Sequence, residues 1–210
     1  MTTNDEIPDL QSKSPDEIPD QQPAADPPSP DRSAIDMADA LMAFASYSET
    51  IRQTRAANTA YFIESGIRSE LGELYHLAKG EDFHGKPHDE ARWREEMGDL
   101  LYYLCSGVVP DEGQQGVKSE GLAELFTLPD LSLAPKPKDR RQWLGLLSEQ
   151  LHLYMSGGFK AEALQRSLLA LAILARGQAN VSLADLMREN EEKVRARFPA
   201  GYSHEAYVAR

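Results

Sequence analysis

From Ser33 onward the apolar positions recur with a helical period. Residues 34–57 set Ile35, Ala38, Leu41, Met42, Ala45 and Tyr47 near a 3.6-residue repeat. A second stretch, 58–79, carries Tyr61, Phe62, Ile67, Leu71, Leu74, Leu77 and Ala78, and Gly80 is expected to close it. The polar run Gly80–His88 contains Gly85 and Pro87 and reads as a loop. Asp89 predicts the N-cap of a helix over about 90–106. Residues 107–117 are broken by Gly and Pro, a short helix is expected over 118–127, and Leu128–Lys138 reads as irregular because of Pro129, Pro135 and Pro137. Asp139 predicts the cap of a helix to about 156, and a Leu/Ala/Ile-rich helix follows over 160–177. Ser182 and Asp185 have the spacing of a capping-box start for a last helix to Phe198, which Pro199 stops. No segment alternates as a strand would, so the expected fold class is all-α, a helical bundle.

Composition changes the picture mainly at the start of the chain. Residues 1–32 predict a disordered, Pro/Asp-rich tail. The first 31 residues hold seven of the 13 prolines and set eight Asp/Glu against one Lys, a net of −7. Such a stretch buries too little apolar surface to offset its ordering entropy. The whole chain of 210 residues is −12, so the part after residue 31 is only −5. This balance argues against a nucleic-acid partner held through phosphates, but leaves room for a polyanionic small substrate. The single cysteine, Cys105, excludes an intrachain disulfide. There is no apolar run of spanning length and no basic-then-apolar leader, so the expectation is a cytoplasmic protein with no membrane partner.

The chemistry concentrates in four acids. Glu70 and Glu73 on one expected helix, and Glu96 and Asp99 on the next, form two acid-x-x-acid pairs. Residues three apart share a helix face, so each pair is repulsive, by a few tenths of a kcal/mol (about 0.2–0.5) in an isolated helix. Both pairs border the stripes that should face the core, Leu71/Leu74/Ala78 and Leu100/Leu104. Carboxylates there are costly to desolvate unless a cation compensates them. Antiparallel packing across the intervening loop would bring all four together in the oxygen-rich setting that Mg²⁺ or Mn²⁺ prefers. Gly72 and Gly98 lie inside the pairs, each at about 1 kcal/mol of helix propensity, which suggests close helix approach or ligand clearance.

Three segments carry a family resemblance. Glu-Leu-Gly-Glu-Leu (70–74), then Glu-Met-Gly-Asp-Leu-Leu-Tyr-Tyr-Leu (96–104), then Glu-Asn-Glu-Glu-Lys-Val-Arg-Ala-Arg-Phe-Pro-Ala-Gly-Tyr (189–202) stand in this order. Together they resemble the MazG-type members of the all-α nucleoside triphosphate pyrophosphohydrolases, a superfamily that also includes dimeric dUTPases and phosphoribosyl-ATP pyrophosphohydrolase. The resemblance implies a single domain over 33–203. Within it, 58–105 would be the acidic metal-site half, 106–181 an insertion or degenerate repeat, and 182–203 the phosphate-contact helix. It implies a nucleoside triphosphate substrate, Mg²⁺ or Mn²⁺ as cofactor, and a homodimer. Glu70, Glu73, Glu96 and Asp99 would be the metal ligands and catalytic acids; Tyr103, Asn190, Lys193 and Arg197 would bind the substrate.

The long middle segment departs from the family pattern. Ser148–Tyr154 can be laid over Ser69–Tyr75 with four identities in seven, and Arg166–Leu174 over Glu96–Leu104. That alignment replaces Glu73, Glu96 and Asp99 by His152, Arg166 and Leu169, so the second half would supply packing rather than a metal site. His84 and His88 read as loop residues, Trp93 and Trp143 as core, and Phe44, Tyr47 and Arg55 as candidate lining of a base pocket. Set against the enzyme is a catalytically inactive helical assembly or regulatory protein of the same fold.

Overall fold

In the computed structural model, residues 37–55, 59–109, 139–158 and 161–202 are described. The tail over 1–32, the helix expected over 118–127 and the irregular stretch 128–138 lie outside them. Among the described residues there are six helices and no strand: α1 Met37–Thr54, α2 Ala60–His84, α3 Glu90–Ser106, α4 Arg140–Ser156, α5 Ala161–Ala179 and α6 Leu183–Arg197. The fold is an all-α bundle. No single helix among the described residues is long and apolar enough to cross a membrane.

Local chemistry sets the helix ends. Asp89 and Asp139 accept the backbone N–H of Arg92 and Gln142, each at 3.0 Å. Ser182 and Asp185 form the reciprocal capping box, and Thr59 caps α2 by accepting from Phe62 at 3.2 Å. The C-terminus of α2 departs from expectation. The helix runs through Gly80 to His84 and closes at Gly85, whose φ of 62° is left-handed. The backbone N–H of Lys86 then folds back onto the Gly80 carbonyl at 3.1 Å. Gly80 is itself buried, and a methyl there would meet the Lys86 side chain at 3.1 Å, so it serves that return of the chain rather than a stop.

The helices pack as pairs, α2 with α3, α4 with α5, and α1 with α6, while α3 also touches α1, α5 and α6. This central place follows from its sequence: Trp93, Met97, Leu100, Leu101 and Leu104 are fully buried. The buried positions of α4 do not follow the expected repeat alignment. Leu153, aligned with buried Leu74, is exposed, and so is Glu149, aligned with Glu70. Shifting α4 by one residue brings Trp143, Leu147, Gln150, Leu151 and Tyr154 into phase with Ile63, Ile67, Glu70, Leu71 and Leu74. Gln150 then holds the inward position of Glu70. A one-residue shift turns a helix by about 100°, so identities counted in the first alignment do not share a face.

At one end, Glu81 of α2 ties four elements. It accepts from Trp93 Nε1 at 2.7 Å and from Arg140 of α4, and lies 3.0 Å from His88 Nδ1, while His88 Nε2 lies 2.7 Å from the Gln178 carbonyl of α5. Arg140 also pairs with Asp82. His88 is thus engaged rather than an idle loop residue, and both tryptophans belong to the core, as expected. Burial pushes the Glu81 carboxyl up, but the donors of Trp93, His88 and Arg140 outweigh it and hold it below the usual 4.5. The stability it contributes is therefore full above pH 4.5 and lost as pH falls through the lower, folded value. Glu81→Ala strands the Trp93 N–H and leaves Arg140 with Asp82 as its one carboxylate partner among these. It is expected to lower the unfolding free energy by about 2 kcal/mol in urea titration at pH 7.

Candidate functional site

Two neighbouring helices supply the acids. Glu70 comes from α2, and Glu96 and Asp99 from α3; one oxygen of each lies within 4.8 Å of the others. Glu96 is 5% exposed and the other two are partly buried. At such a separation each pair of full charges repels by roughly 3 kcal/mol at an effective dielectric of about 20. The Glu70 carboxyl responds: burial first, then Asp99 and Glu96, raise it from 4.5 to about 7, against the lowering effect of Lys193. Glu96 is also raised, by burial above all, with Arg92 opposing.

Expected and observed site residues agree in part. Glu73 is exposed and stands outside the three-carboxylate group, although its charge adds to the upward push on Glu70 and Glu96. Asn190 and Lys193 of α6 converge on Asp99. Asn190 Nδ2 donates to Oδ1 at 2.7 Å, and Lys193 Nζ to Oδ2 at 2.6 Å and to Glu95 at 3.0 Å. Arg92 Nε sits 2.8 Å from Glu96. The sequence reading gave Asn190 to the substrate; here it is 3% exposed and committed to Asp99 and to the Tyr47 hydroxyl.

Beside the acids lies a cavity of about 390 Å³, walled by Phe62, Tyr102, Tyr103, Phe198 and Tyr202. Glu70 and Asp99 share its lining with Lys193 and Arg197. Tyr103 is held there because α2 has no side chain at Gly66, where a methyl carbon would fall 2.2 Å from the ring. Phe62 meets the same ring edge-on at 5.4 Å. The far wall is the turn after α6: Gly201 has φ 81°, and Tyr202 N–H donates to the Gln53 carbonyl at the end of α1 at 3.0 Å.

Phe44, Tyr47 and Arg55 do not line this cavity, contrary to the sequence reading. Phe44 and Tyr47 are core, and Arg55 caps α3 through the carbonyls of Ser106 and Val109. The two glycines inside the acid pairs also separate. Gly98 gives clearance, since a methyl there would approach Asn190 to 3.3 Å, but Gly72 faces open space. Gly66 and Phe62 were missed as site residues. The signal was present, because Gly66 lies one turn before Glu70 on the same helix.

Against models of known protein families, curated proteins and solved structures, the chain shows no match.

The three crowded carboxylates form an all-oxygen donor set of the kind a divalent ion takes. Because Glu70 binds its proton more tightly when folded, the native chain carries more protons than the unfolded one between about pH 4.5 and 7. Stability of the metal-free protein should therefore fall as pH rises across that window, with Mg²⁺ or Mn²⁺ offsetting the loss. Thermal melts of wild type and Glu70→Gln from pH 5 to 8 check this. The variant should lack that component of the decline and gain less from the ion.

Proposed function

We propose that the chain hydrolyses a nucleoside triphosphate to the monophosphate and pyrophosphate with the help of Mg²⁺ or Mn²⁺, as its likeness to MazG-type pyrophosphohydrolases implies. The observation that carries this reading is the meeting of Glu70, Glu96 and Asp99 at the edge of a cavity that also presents Lys193 and Arg197. Carboxylates alone would repel a triphosphate, and basic residues alone would not assemble a divalent-ion site. The two together suit a substrate that arrives with its cation.

Glu70, Glu96 and Asp99 would hold the ion, with Glu73 as the further carboxylate that the motif implies. When bound, it would neutralise phosphate oxygens and acidify a water molecule. Lys193, already at the Asp99 carboxylate, would lend positive charge to the phosphate chain, and Arg197 would meet its outer end. The aromatic walls would take the base and sugar: 390 Å³ lies within the range of small-ligand pockets, about 300–1,000 Å³. A base slipped between Tyr103 and the Phe198–Tyr202 turn would stack without a hydrogen-bond code, which favours tolerance of several bases. Without an ion Glu70 holds its proton up to about pH 7, so it would give that proton up when the ion binds.

Pyrophosphate release should be measured across a panel of canonical, deoxy and modified nucleoside triphosphates with Mg²⁺ and with Mn²⁺. Turnover of at least one is expected, and Asp99→Asn should lower kcat/KM on the order of a thousandfold. Failure of the wild type to turn over any nucleotide would leave the fold as an assembly or regulatory scaffold and overturn the enzyme reading.

A further inference from the structure

The geometry points to Tyr47 as a positioning residue for Asp99, acting through the side-chain amide of Asn190. The inference rests on the reading of Glu70, Glu96 and Asp99 as a divalent-cation site. It adds a residue from α1, a helix that carries none of the three motif segments.

The chain of contacts has only one consistent polarity. Asp99 is paired with Lys193, so its carboxylate accepts and does not donate. The atom of Asn190 that faces it at 2.7 Å must then be the NH₂ nitrogen. That choice turns Asn190 Oδ1 toward Tyr47, whose hydroxyl lies 2.7 Å away and must donate. The ring is fully buried, and its edge meets Tyr102 at a centroid distance of 6.5 Å. Burial, with smaller pushes from Cys105, Tyr102 and Asp99, keeps the phenol far above its usual 10, so it stays a donor.

Asn190 is confined from a third side as well. It rests on Gly98, the residue before Asp99, where any side chain would crowd its Cβ at 3.3 Å and its Nδ2 at 3.4 Å. Tyr47 therefore fixes the amide, the amide fixes Oδ1 of Asp99, and Lys193 fixes Oδ2. Each carboxylate oxygen keeps a lone pair for an ion. Removing the Tyr47 hydroxyl would strand a buried carbonyl and release the amide from its one orientation. Supports of this kind typically change metal affinity by about 10–100-fold.

The test is a double-mutant cycle read by Mn²⁺ calorimetry on the full-length protein, without nucleotide. Tyr47→Phe is expected to weaken Mn²⁺ binding about tenfold, and Asn190→Ala by as much or more. The double variant should bind no more weakly than Asn190→Ala alone, because the hydrogen bond of the Tyr47 hydroxyl reaches Asp99 through that amide. A purely structural tyrosine would lower the melting temperature and leave Mn²⁺ affinity within twofold of wild type; that result overturns the inference. A further loss of the same size in the Asn190→Ala background does so too. Failure of the wild type itself to bind Mn²⁺ overturns the cation-site reading together with this one, and so differs from a failure confined to Tyr47. Should Tyr47→Phe not fold, the Asn190 side-chain amide resonance of the wild type decides. It should shift in step with Mg²⁺ saturation, and an unmoved resonance at saturation overturns the inference.

Discussion

Like charge confined at the seam of α2 and α3 is the constraint around which the rest of the bundle is arranged. Glu70, Glu96 and Asp99 stand within 4.8 Å of one another, Glu96 buried and the other two half-buried, so water relieves their charge only in part. Part of the compensation is local, in Arg92 beside Glu96. The larger part arrives from α6, whose Asn190 and Lys193 occupy both oxygens of Asp99. Docking of α6 on α1 and α3 is thus electrostatic at its polar end and apolar at Leu183, Leu186 and Met187. What remains unbalanced sits on Glu70, which holds its proton up to about pH 7.

The two hairpins divide the labour. The α2–α3 hairpin carries charge along its inner seam and depends on the Glu81 clasp at its far end to hold register with α4 and α5. The α4–α5 hairpin is filled instead with Leu and Ala, including Leu164, Leu168, Leu171 and Ala175. Its inward polar residue on α4 is Gln150, neutral where α2 has Glu70. A rigid, apolar second hairpin gives α3 a firm backing, and a strained acidic group needs one to keep its geometry.

Much of this was legible in the sequence because it is local. Asp89, Asp139 and the Ser182/Asp185 pair cap helices by chemistry contained within four residues, and they appear where expected. The convergence of Glu70 with Glu96 and Asp99 followed from spacing on two helices joined by a short loop. What escaped depends on contacts between distant segments. Gly80 and Gly85 look alike in sequence, and only the return of Lys86 onto the Gly80 carbonyl assigns the stop to Gly85. The Tyr103 ring lying on Gly66 and the Tyr47–Asn190 bond, which spans 143 positions, leave no periodic trace. Glu73 matches the motif as well as Glu70 does, yet its side chain lies on the outer edge of the face they share. Similarly, the identities that aligned α4 with α2 are one Ser, one Glu, one Leu and one Tyr, too few to fix the rotational setting of a leucine-rich helix.

The wide separation between the acids and their partner on α6 also dictates an order of events during synthesis. Lys193 follows Asp99 by 94 positions, so ribosomes release α2 and α3 long before the cation that relieves them. Until then Arg92 is the cation beside these acids, and the proton of Glu70 or an ion from the surrounding fluid would take the place of Lys193. In vectorial synthesis α6 is thus the last of the six described helices to reach the acids it balances.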